Sequence, residues 1–129
     1  MTATTGTDRI VVDSSGWLEA LTEDTNAAAF QSYLQREPEL LMPSIVLYEV
    51  YKKLRTDMSS AVAAQFLSHA LRCQVVPLDA DLALAAAQAS IQHRLHMADA
   101  IIYATAFSFG AQLITSDQHF RGLPGVTLI

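Results

Sequence analysis

Four carboxylates occupy positions where a folded chain has little use for negative charge: Asp13 in IVVDSSGW, Glu49 in SIVLYEVYKK, Asp99 in HMADAIIYATA and Asp117 in QLITSDQHF. Asp13 and Asp117 follow short apolar runs that read as strands, and Asp99 lies in the first turn of a helix that is apolar nearly all round. Ionised carboxylates gathered in such surroundings are opposed by desolvation and by mutual repulsion unless a cation sits among them. The set therefore reads as a hard-metal site, and oxygen-only ligands favour Mg2+ or Mn2+ over zinc.

Each acid also has an ordinary structural use. Asp13 can cap a helix or close a turn, although Ser14 and Ser15 already offer caps there. Glu49 precedes Lys53 by four residues, the favourable order for a pair along a helix face. Asp99 can interact with the positive end of its helix, and Asp117 can make an Asx turn. Such local explanations place each carboxylate independently; they do not explain why the chain topology should bring all four toward one edge.

Other chemistries are poorly represented. His93 and His96 stand three apart at a helix end and turn, with no cysteine pair and no H-E-x-x-H arrangement, so a zinc site is not indicated. His69 and His93 read as surface or loop histidines, while His119 lies beside the proposed site and can touch a phosphate. No G-x-S-x-G elbow and no G-x-x-x-x-G-K phosphate loop occurs. Trp17, Tyr48, Tyr51 and Tyr103 read as core or interface aromatics rather than base-stacking platforms.

The elements that must carry these residues follow from apolar patterning. Arg9–Val12 reads as a strand ending at Asp-Ser-Ser-Gly, with Trp17, Leu18 and Leu21 on the buried face of the following helix. A second helix is expected from Thr25 to Arg36, stopped by Pro38, then a minimal strand over Leu40–Met42. Ser44 begins a helix with Val46, Val50 and Leu54 as its core stripe and Glu49 off that stripe. A helix over Ser59–Leu71, a strand over Gln74–Pro77 and an alanine-rich helix opened by Asp79 come next. Met97–Phe109 should pack inside a sheet layer, with Gly110 as its stop. Ala111–Thr115 is a strand, 116–122 a turn region and Gly125–Ile129 a closing strand. Strands separated by helices throughout imply one α/β domain over 9–129, a central parallel sheet of four to five short strands with helices on both faces, after a short polar tail over 1–8. Ligands of such sheets bind beyond the carboxyl ends of the strands, the edge that Asp13 and Asp117 share.

Composition narrows the setting. At 129 residues, 51% of them hydrophobic and 16% charged, with a mean hydropathy of +0.25, the chain has apolar surface to spare for a partner. The net charge of −5 argues against a general electrostatic nucleic-acid binder, yet Arg9, Lys52, Lys53, Arg55, Arg94 and Arg121 all lie within six residues of one of the four carboxylates. Cys73 is the only cysteine, which excludes an intrachain disulfide and fits a reducing cytoplasm. No signal-like or membrane-spanning segment is expected.

At these motifs the chain resembles the PIN-domain ribonucleases, in particular the VapC-like toxins of toxin–antitoxin pairs. IVVDSSGWLE is similar to that family's opening strand with its first Asp, SIVLYEVYKKL to its helix with the Glu, HMADAIIYATA to its third acidic motif and LITSDQHF to its T-x-D segment. The sequence departs from many relatives at His119, where they carry a further acid, a change that puts a further metal-side carboxylate in doubt and could alter metal affinity or make His119 a phosphate contact. The resemblance implies a Mg2+- or Mn2+-dependent endoribonuclease acting on RNA, a homodimer, and a cognate antitoxin that inserts a basic side chain among the carboxylates. Asp13 and Asp99 would ligate the metal, Asp117 would add a ligand or anchor a water, and Glu49 would orient or deprotonate the attacking water. Ser14 and Thr115 are candidates for hydrogen-bonding these acids. Two other readings compete: a PIN-like domain kept as a binding or scaffold module, and a phospho-receiver domain. The latter needs a late lysine, and Lys52 and Lys53 are the only lysines.

Overall fold

The computed structural model describes residues 8–129, so all but the last residue of the expected tail lies outside the described residues. Five strands, β1 (Ile10–Val12), β2 (Leu40–Pro43), β3 (Gln74–Val76), β4 (Gln112–Thr115) and β5 (Val126–Leu128), form one sheet in the order β3-β2-β1-β4-β5. Every neighbouring pair is parallel. Paired helices make the crossovers: α1 (Ser14–Leu21) and α2 (Ala27–Leu34), α3 (Ser44–Asp57) and α4 (Ser60–Ala70), α5 (Ala80–His93) and α6 (Met97–Ser108). This is the α/β architecture expected. β1 and β2 are buried at every position, which explains why their sequences are continuous apolar runs rather than alternating ones.

The chain leaves β1 toward β2 and β3, then crosses back to β4 and β5 on the other side of β1. The sheet therefore reverses direction between β1 and β4, and a crevice opens at their carboxyl ends. Val12 is in register with Ile114, so the residues that follow, Asp13 and Thr115, emerge side by side.

Helix starts follow local chemistry with two differences from expectation. Ser59 and Asp79 cap α4 and α5 through bonds from Val62 N–H and Leu82 N–H. At α1 the cap is Asp13 itself, whose Oδ1 accepts from Gly16 N–H at 2.9 Å, and neither Ser14 nor Ser15 serves. At α3 the cap position is Pro43, with no side-chain bond, so Ser44 is the first helical residue instead. α2 is shorter than the expected 25–36 stretch, because the chain around Asp24 makes a turn and Glu37–Glu39, containing Pro38, forms a 3-10 turn.

Val46, Val50 and Leu54 are buried as a stripe on α3. The middle of α6, Ala100–Ala106, is buried, but Met97 and Phe107 at its two ends are exposed. That helix packs one side against the sheet and another against α5 instead of lying wholly inside a layer. Gly110, at φ 64, ends it as expected. Gly16 has a packing role: a Cβ there would lie 2.7 Å from both the Phe30 ring and Val12, so only glycine lets α1 approach β1 and α2 this closely.

His69 is not the free surface histidine expected. It is half-buried, with Nε2 3.1 Å from the Leu34 carbonyl and 3.1 Å from Glu37 Oε2, and its ring meets Trp17 edge-on. His93 is half-buried too, edge-on to Tyr103. Trp17 and Tyr103 are core residues, whereas Tyr48 is 58% exposed. No described helix is long and apolar enough to cross a membrane.

Candidate metal centre at the β1–β4 switch

A cleft of about 490 Å3 opens at the sheet reversal, and all four predicted carboxylates line it. Asp13 arrives at the end of β1, Glu49 from the second turn of α3, Asp99 from the first turn of α6 and Asp117 from the turn after β4. Leu18 and Ile102 supply apolar wall.

Asp13 is held from several directions. Besides Gly16 N–H, it accepts from Thr115 Oγ1 at 2.6 Å and from Ser15 Oγ at 3.1 Å, both at Oδ2. The Thr115 hydroxyl in turn accepts Asp117 N–H at 2.9 Å, so one side chain ties the ends of β1 and β4 together. Ser14 donates to Glu49 Oε1 at 2.5 Å, joining α1 to α3 across 35 residues. Ser14 and Thr115 thus both hydrogen-bond site acids. The Glu49–Lys53 pair that helical spacing allowed as the ordinary use of Glu49 is not formed among the described residues: Lys53 pairs with Asp57 at 2.8 Å, and Glu49 is bonded by Ser14.

Asp117 makes the Asx turn allowed by its sequence, Oδ1 accepting His119 N–H at 2.9 Å. That turn folds the imidazole back, bringing Nδ1 to 3.1 Å from the same oxygen. Asp99 differs from its neighbours, since among the described residues no hydrogen bond to its half-buried carboxylate is formed. One ligand atom each from Asp99, Asp117 and His119 lies within 4.8 Å of the others. Asp13 and Glu49 line the same cleft outside this tightest grouping.

Burial pushes the Asp13 carboxyl up to about 6; the bonds from Thr115, Gly16 and Ser15 oppose that rise, and the charge of Asp117 adds to it. Asp99 is also raised, first by burial and next by Asp117, with His119 opposing. Both acids are thus displaced in the direction that a cation among them would reverse. The donor chemistry fits a divalent ion: carboxylate oxygens with free lone pairs, one imidazole, and no lysine or arginine ion-paired to any of the four acids among the described residues.

The sequence reading missed the outer wall. Tyr48, Lys52, Lys53, Thr56 and Asp57 line the cleft with Glu49. Their signal was present, because 48/49, 52/53 and 56/57 recur every four residues and so share one face of α3. His119 was read as either altering metal affinity or touching a phosphate, and its approach to Asp117 depends on a turn that periodicity does not specify.

Fold and site together define a parallel α/β domain with an acidic cleft suited to a divalent ion. The chain belongs to the PIN-domain family, whose model matches residues 10–126. No curated protein sequence matches it. Its fold is similar to that of a toxin–antitoxin complex chain from Klebsiella pneumoniae, at 21% identity and TM-score 0.78, with 92% of this chain and 95% of that one covered. A DNA-bound VapBC chain from Salmonella typhimurium gives 16% identity and TM-score 0.73, covering 94% and 96%. VapC20 from Mycobacterium tuberculosis, described as a sarcin-ricin loop cleaving toxin, gives 22% and 0.66, covering 80% and 85%.

Proposed function

We propose that this protein is the nuclease toxin of a toxin–antitoxin pair, a Mg2+- or Mn2+-dependent endoribonuclease that hydrolyses RNA phosphodiester bonds. The observation that carries the reading is the convergence of Asp13, Glu49, Asp99 and Asp117 on one cleft at the sheet reversal. Family membership and fold neighbours that are toxins of such pairs support it.

Asp99 and Asp117, with Asp13, would hold the ion. When bound it would offset charge growing on the phosphate oxygens and acidify a water. Glu49, oriented by Ser14, is positioned to take the proton of the attacking water. Asp13, fixed by Thr115 and Gly16, keeps the β1 side of the cleft from shifting when the substrate phosphate enters. Lys52 at the rim offers a cation to a neighbouring phosphate.

Partners are part of the proposal. Leu84, Ile91, Met97 and Phe107 expose large apolar side chains on α5 and α6, a surface that supports a homodimer. A hollow of about 500 Å3 lined by Leu47, Tyr51 and Leu67 adjoins the cleft; it supports an antitoxin segment that lies between α3 and α4 and extends a basic side chain to the acids. Both partners and the RNA would be met in the cytoplasm.

The test is cleavage of total cellular RNA by antitoxin-free protein with Mg2+ or Mn2+, beside Asp99→Asn. Discrete fragments lost on adding EDTA and lost in Asp99→Asn are expected. If wild type and variant are equally inert and calorimetry detects no metal binding, the acids are structural and the domain is a scaffold.

A further inference from the structure

We propose that His119 is a nitrogen ligand to the divalent ion held by Asp99 and Asp117, and that this nitrogen biases the centre toward Mn2+ over Mg2+. The inference rests on the metal-dependent reading above and adds to it a donor that the four-acid pattern lacks.

The position of His119 is imposed by the backbone. Asp117 closes the 3-10 turn over Gln118–Phe120 by accepting His119 N–H. The fully buried Phe120 anchors that turn in the core, and Thr115 anchors its first residue through Asp117 N–H. The imidazole is 70% exposed, so the turn sets the direction of its side chain and the contact with Asp117 sets the ring. Its Nδ1 and Asp117 Oδ1 stand 3.1 Å apart. In an octahedral site with bonds of roughly 2.1 Å, adjacent ligand atoms are separated by roughly 3.0 Å. The spacing of Nδ1 and Oδ1, which suits a direct hydrogen bond in the metal-free protein, also suits two neighbouring ligands on one ion, so a bound ion would meet both atoms with little movement. Asp99 completes the group within 4.8 Å, and its carboxylate has no competing donor among the described residues.

The nitrogen has a chemical consequence. Mg2+ is a hard ion that keeps oxygen ligands and water, whereas Mn2+ accepts imidazole as well as carboxylate. Exchanging a carboxylate for a neutral ring also lowers the negative charge of the donor set, weakening the electrostatic term on which Mg2+ depends. His96 is the other nearby imidazole, its ring centroid 6.4 Å from that of His119; it stands outside the grouping and serves as the internal control.

Pulsed electron paramagnetic resonance on the full chain loaded with Mn2+ alone reads directly coordinated nitrogen without reference to activity. The expected result is one bound Mn2+ with nitrogen modulation that disappears in His119→Gln and His119→Asp and persists in His96→Gln. In competition, His119→Asp should reduce the Mn2+-over-Mg2+ preference by about tenfold. Mn2+ bound in a manner that needs Asp99 but without nitrogen modulation, or with modulation that survives His119→Gln, overturns the role of His119 and leaves the metal-dependent nuclease standing. Absence of Mn2+ binding, or binding indifferent to Asp99→Asn, overturns both.

Discussion

The two sides of the cleft are built on different principles. On the β1 side Asp13 is 4% exposed and accepts three hydrogen bonds, and behind it Gly16, Val12 and Phe30 are packed without room for a methyl group. On the opposite side Asp99 is half-buried with no hydrogen-bond donor among the described residues, and His119 is largely exposed on a short turn. One side holds its carboxylate among several donors; the other leaves a carboxylate without a donor among the described residues. The contrast teaches that identical side chains in one cleft can be held very differently, one fixed by several donors and one left open.

Asp99→Asn attacks the open side and should have the largest effect, reducing RNA cleavage by at least about a thousandfold. The melting temperature should be unchanged or raised, since a raised carboxylate is replaced by a neutral amide. A fall in stability comparable to the fall in activity would erase the distinction between the two sides.

Asp13→Asn probes the packed side through pH. The Asp13 carboxyl is raised from 3.8 to about 6, so the folded state holds its proton more tightly than the unfolded chain does. Well below 3.8 the group is neutral in both states and has no effect; as pH rises from about 4 to about 6 the metal-free protein loses stability, by about 3 kcal/mol in total, and above that the loss is complete. Chemical denaturation of metal-free wild type and Asp13→Asn across pH 3.5–7.5 should show the variant gaining on the wild type over that window. Parallel curves would mean that the hydrogen bonds offset the burial.

Gly16→Ala adds the forbidden methyl and should cost about 1–3 kcal/mol by overpacking, read as a lower urea midpoint at constant slope. Ser14→Ala is the finest probe. Freed from its 2.5 Å partner, Glu49 should lose orientation, and kcat should fall by about tenfold with metal affinity and folding unchanged. Equal loss of metal binding would make Glu49 a ligand rather than a base.

Much of this was legible in the residues. Continuous apolar runs located the buried parallel strands, Ser59, Asp79 and Gly110 marked helix ends, and the four acids were singled out by their apolar surroundings. What escaped was tertiary. Helical spacing pairs Glu49 with Lys53 because it sees only four residues ahead; Ser14 was a candidate donor to the site acids, but that its acid would be Glu49, on a different helix, was not legible. Two serines after Asp13 seemed sufficient caps, yet the backbone leaves the β conformation one residue earlier, making Asp13 both cap and site acid. The nearness of His119 to the site was legible, but its contact with Asp117 was not, because no periodicity describes a 3-10 turn that brings a ring back to the residue capping it.

The Thr115–Asp13 hydrogen bond spans 102 residues of chain. Because β4 supplies one wall of the crevice and β1 the other, a chain that has formed only the segments carrying Asp13, Glu49 and Asp99 still lacks Thr115, the donor that fixes Asp13. The crevice is therefore assembled only by pairing strands far apart in sequence, a non-local step whose loop-closure cost must be met before the contacts reward it.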